Sequence, residues 1–150
     1  MKRVLSFAAV FALALVVSLG AQATPAAPAA QAPAKIASDA DYSTHMKEIG
    51  QLNGVLGKAI KASDAAEGGK AAARMEILFK NIHGYWTDKK IADASSAAQT
   101  AVDSLQAVQK ALSAGEMAAA ETARTTLASQ CMACHKEHRE KLAEGGFKIK

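Results

Sequence analysis

From Ser38 onward, apolar or weakly polar side chains recur at Tyr42, Met46, Ile49, Asn53, Leu56 and Ile60, in alternating steps of four and three. One face of an α-helix has that spacing, so the pattern predicts a first helix with Ser38 as its N-cap, ending near Ser63. Ser63-Asp64 and Gly68-Gly69 punctuate the chain, after which Ala71, Met75, Leu78 and Ile82 predict a second, shorter helix reaching Gly84. Thr87 or Asp88 is placed to cap a third, striped by Ile91, Ala94, Ala98, Ala101, Leu105, Val108 and Leu112 and closed by Ser113-Ala114-Gly115. Its length is roughly 25 residues. The run from Glu116 to Ala143 has no Gly or Pro and carries Met117, Ala120, Leu127, Cys131 and Cys134 on adjacent turns before Gly145-Gly146, which predicts a fourth. No segment alternates with period two for long enough to make a strand. Phe147-Lys148-Ile149-Lys150 does alternate, but so short a stretch reads as a surface arm with no assigned role. The expected fold is all-α, an antiparallel four-helix bundle over residues 38–150 whose Ala-rich stripes let helix axes approach closely.

Composition sharpens this picture. Of 150 residues 36 are Ala and 5% are aromatic, so a core built from them buries little surface per residue. Such a domain leans on a partner or a cofactor. Ahead of it, Met1-Lys2-Arg3, the uncharged run Val4 to Leu19 and Ala21-Gln22-Ala23 form the three parts of a secretory signal, with cleavage expected after Ala23. The apolar run is shorter than the ~20 residues that span a bilayer, so no stable membrane anchor is expected once residues 1–23 are removed. Residues 24–37 hold all 3 Pro and read as an extended Ala/Pro-rich linker. Losing Lys2 and Arg3 takes the basic residues from 18 to 16 against 14 acidic ones, so the net charge falls from +4 to +2 and nucleic acid is not an expected partner. The expected location is the periplasm, where thiols can be oxidised or joined to cofactors.

The only cysteines fall in Cys131-Met132-Ala133-Cys134-His135, a C-x-x-C-H run that is the attachment signature of c-type haem. Residues three apart share a helix face, so both thiols can form thioethers to one haem while the adjacent His135 turns its imidazole onto the iron. One covalent haem c would also explain the thin core. Other uses of the pair fit less well. A disulfide would close a tiny loop inside a helix, and a redox dithiol belongs at a helix start after a strand. Zinc could recruit Cys131, Cys134 and His138, but would need a fourth ligand from elsewhere and leave His135 idle.

With this motif on its last helix, the chain resembles the class II cytochromes c, the family of cytochrome c-prime and the low-spin cytochromes c-556. The family's low-spin members often carry Met-Lys and then, after two intervening residues, Gly on the first helix; here Met46-Lys47-Glu48-Ile49-Gly50 stands there. The resemblance, together with the inward position of Met46, implies Met46 as the sixth iron ligand opposite His135, and a small electron carrier rather than an enzyme. His45 is the rival ligand, but it points about a hundred degrees away around the helix and is expected towards solvent. Relatives with an Arg four residues after the motif His use it near a haem propionate, which implies that role for Arg139. His83 is expected at a helix end, His138 against the haem edge, and Tyr85 and Trp86 at the opening of the third helix. The implied partners are redox proteins of the periplasm; whether two copies pair as a homodimer through their Ala-rich faces is left open by the sequence. The other functions open to the sequence are a five-coordinate haem that binds a small gas such as nitric oxide, and a haem-free interaction bundle.

The mature protein is expected to have the mass of residues 24–150 plus one haem and to keep its colour after acid denaturation. Intact mass spectrometry checks this, and a mass without haem removes the cofactor assignment.

Overall fold

The computed structural model describes residues 35–150, so the expected signal over residues 1–23 and the linker as far as residue 34 lie outside the described residues. The described chain forms α1 (Asp39–Lys61), α2 (Ala65–Asp88), α3 (Ala92–Ser113) and α4 (Met117–His138), followed by two short strands, β1 (Arg139–Lys141) and β2 (Phe147–Ile149). Ser38 caps α1 as its composition suggests, its Oγ accepting from the Asp41 amide at 3.1 Å. Asp39 and Asp41 in the first turn and Lys58 and Lys61 in the last complement the helix dipole.

α2 departs from expectation at both ends. It runs 24 residues, the longest of the four, and takes Gly68, Gly69 and Gly84 into its interior. Asp64 starts it before the glycine pair, its Oδ1 accepting from the Glu67 amide at 2.9 Å. Gly68 serves close approach rather than a break. A Cβ there would stand 3.0 Å from Leu112 Cδ1 and 3.5 Å from the Ala59 Cβ. Tyr85 and Trp86 therefore close α2 instead of opening α3, and His83 lies within α2 rather than at its end.

The three connectors between helices share one geometry. Ala62, Lys89 and Ala114 are right-handed C-caps; Ser63, Lys90 and Gly115 follow at φ 56°, 58° and 75°. In each connector the third residue's amide reaches back to the last turn: Asp64 to the Ala59 carbonyl at 2.9 Å, Ile91 to Trp86 at 3.1 Å, Glu116 to Ala111 at 2.9 Å. This Schellman-type closure needs a left-handed residue, a conformation glycine adopts freely and other residues do not.

α1 packs on α2, α2 on α3 and α3 on α4, whereas α1 and α4 meet only sparsely. Leu56, Met75, Trp86, Leu105, Val108 and Leu127 are the largest fully buried side chains. α4 adds little to this core, burying only Ala120 and Leu127. Its Thr122, Thr125 and Thr126 hydroxyls turn back onto the carbonyls of Ala118, Glu121 and Thr122. α4 also stops at His138, short of the expected Ala143, because Arg139–Lys141 leave in extended form. They pair antiparallel with Phe147–Ile149 in the register Arg139 to Ile149 and Lys141 to Phe147. Gly145 and Gly146, at φ 94° and 85°, make the turn. The tail expected to be a surface arm is thus one strand of a hairpin. No described helix is long and apolar enough to cross a membrane.

Lys90→Gly is expected to raise the unfolding free energy by about 1 kcal/mol by relieving the left-handed strain, and Gly115→Ala to lower it by a similar amount. Equilibrium denaturation of both variants checks the pair.

Candidate functional site

The open seam between α1 and α4 holds two adjoining cavities. The inner one, about 180 Å³, is bounded by Met46, Ile49 and Asn53 of α1, Met75, Phe79 and Ile82 of α2, the Ala94, Ala98 and Ala101 stripe of α3, and Cys131, Cys134 and His135 of α4. The outer one, about 700 Å³, shares Tyr42, Met46, Gly50, Cys134 and His135 with it and extends to Lys47, His138, Arg139, Phe147, Lys148 and Ile149. Cavities of roughly 300–1,000 Å³ with apolar walls and a few polar groups are what small-molecule and cofactor sites look like.

Helical spacing puts the motif on this face. Residues 131, 134 and 135 lie three and four apart, so both thiols and the imidazole border the same space, with Met46 doing so from α1. Burial pushes the Cys134 thiol up to about 11, with Cys131 and Asp93 adding to it, and burial also raises Cys131. Burial lowers His135, helped by the positive charge of Arg139. At neutral pH the thiols therefore keep their protons and the imidazole is neutral, with a ring-nitrogen lone pair free for a metal. Asn53 lines the inner cavity, yet its Oδ1 is buried without a hydrogen-bond partner. A buried polar atom left unpaired against a cavity is one that a guest group or a water would meet. Two thiols three residues apart, a neutral imidazole beside them, a facing thioether and apolar walls are a donor set that fits haem c.

Other residues stand differently from expectation. His45 faces α2 rather than solvent. Its Nδ1 lies 2.9 Å from the Asp41 carbonyl and its Nε2 3.1 Å from Asn81 Nδ2, and it borders neither cavity. With Nδ1–H donated to the carbonyl, Nε2 accepts from the Asn81 amide and both ring nitrogens are occupied. Trp86 sits behind the site, its indole N–H donating to the Tyr42 hydroxyl at 3.1 Å. His138 borders the outer cavity, its Nε2 2.7 Å from Asp93 Oδ2 and its ring 5.1 Å from that of Trp86. Among the described residues no three His, Cys, Asp or Glu side chains converge as a metal cage. Arg139 is not on the helical face of His135, because it belongs to β1; its guanidinium lies 3.9 Å over the Phe147 ring while still bordering the outer cavity. The hairpin wall and the unpaired Asn53 are parts of the site that had no assigned role in the sequence. Their signals were the period-two tail and one amide on an otherwise apolar stripe.

The chain matches no family model, and comparison with curated proteins and with solved structures gives no match either.

In the folded chain with free thiols, alkylation of Cys134 by iodoacetamide is expected to be slow at neutral pH and to climb up to about pH 11, because only the thiolate reacts. Peptide mass spectrometry across pH checks it; a plateau near the ordinary 9.0 would place the thiol in water.

Proposed function

We propose that this protein is an exported monohaem cytochrome c of the class II kind, an antiparallel four-helix bundle that relays single electrons between periplasmic redox proteins. One observation carries the reading: Cys131, Cys134, His135 and Met46 border the same cavity, where α1 and α4 meet only sparsely. Cys131 and Cys134 would hold the haem through thioethers, and neutral His135 and Met46 would ligate its iron. When bound, the iron would supply a one-electron couple, and a soft sulfur ligand would favour its reduced form. The chain's own work is positional. α4 presents both thiols and the imidazole on one face, α1 brings the thioether across from them, and the Ala, Ile and Phe walls keep water from the metal. Arg139, at the outer rim, supplies a guanidinium for a propionate. His45 is already held by Asp41 and Asn81, which supports Met46 as the ligand from this helix.

Met46→Ala is expected to convert a low-spin protein to high-spin, open it to carbon monoxide and lower the reduction potential, whereas His45→Ala leaves spin state and carbon monoxide reactivity unchanged. Absorption spectra of both oxidation states check this. A wild type already high-spin and reactive to carbon monoxide would replace electron transfer with gas binding.

A further inference from the structure

We propose that the C-terminal hairpin is the outer wall of this site, positioning the bound group and limiting its contact with water; the inference rests on the haem reading above. β1 leaves α4 with no intervening connector, since Arg139 is both the helix C-cap, at φ −123° and ψ 130°, and the first strand residue. β2 comes back against α1. The hairpin therefore bridges α4 and α1, the two helices that meet only sparsely, beside the cavity that Met46 and His135 border.

Its residues suit the place. Phe147 and Ile149 offer the outer cavity an apolar surface, and Arg139, with Lys47 of α1, offers it cations, while Lys148 pairs with Glu140 at 3.3 Å and Asp39 adds one carboxylate to the lining. That is the chemistry of a flat apolar guest with an acidic edge. The hairpin is tied down at its base, where the Lys150 amide donates to the His138 carbonyl at 3.1 Å and Lys150 Nζ to the Lys136 carbonyl at 3.2 Å. Beside its turn Phe147 remains 51% exposed, one of two large apolar side chains among the described residues that are exposed. A two-stranded hairpin alone is marginal in water. Burying that ring against a guest supplies what this one lacks.

The test compares the full chain with one ending at Leu142, which keeps all of α4, and with a full-length Phe147→Ser, Ile149→Ser variant, each purified as the holo form. Intact mass reports haem, circular dichroism reports the helices, and electrochemical titration reports the reduction potential. The truncated chain is expected to keep its haem and helices but to show a lower potential, because water and the loss of Lys148 and Lys150 both favour ferric iron. The double variant moves the same way by less. Amide hydrogen exchange in residues 139–149 of the full chain is expected to be slower with haem than without. Unchanged potentials in the double variant, together with exchange that haem does not slow, overturn the proposal even if the truncated chain fails to fold. A full chain without haem overturns the underlying reading instead.

Discussion

α1 and α4 meet only sparsely, and most of the structure can be understood from the gap between them. Three helix seams are closely packed, but the space at the fourth is bordered by Tyr42, Met46, Ile49, Met75, Phe79 and Ile82, by the Ala stripe of α3, by two thiols and by the Asn53 amide with its unpaired oxygen. Ala-rich stripes leave volume between the helices, while the other seams are closely packed. α4 is the helix that most needs an occupant. It buries only two side chains, lacks a side-chain N-cap bond and spends several hydroxyls on its own backbone. A covalent group attached to α4 and covered by α1 would provide the apolar contact that this helix does not obtain from its neighbours.

The same gap explains the state of the titrating groups. Thiols and imidazole stay uncharged because they border an apolar space without a counter-ion close enough to stabilise a charge. The charged residues that border the site, Asp39, Lys47, Arg139 and Lys148, all lie on the outer cavity, and three of these four are cations. An apolar inner part and a mainly cationic rim divide the site in two.

Helix faces were legible in the sequence because a repeat of three and four residues needs only apolar spacing. Boundaries were legible only where a residue had one meaning. Ser38 reads as a cap and is one, and Gly115 reads as a stop and is one. Gly68 was misread because glycine also serves close helix approach, and Lys90 was missed because nothing in a lysine announces a left-handed residue. The motif was visible since its spacing is local. The direction of His45 was not, because its partner Asn81 lies on another helix. Nor was the hairpin wall, since a three-residue strand owes its existence to the register with Arg139–Lys141 rather than to its own pattern.

The repeated connector has a kinetic side. Because Ala62–Asp64, Lys89–Ile91 and Ala114–Glu116 close each helix in the same way, every well-packed seam joins helices that follow one another in the chain. Contacts between consecutive elements close small loops and form early, while contacts distant in sequence wait for the largest loss of chain entropy. The α1–α4 seam is the distant one. Formation of the α1–α4 seam therefore comes last, and Met46 reaches the face of α4 that carries Cys131 and Cys134 only when the first and last helices come together.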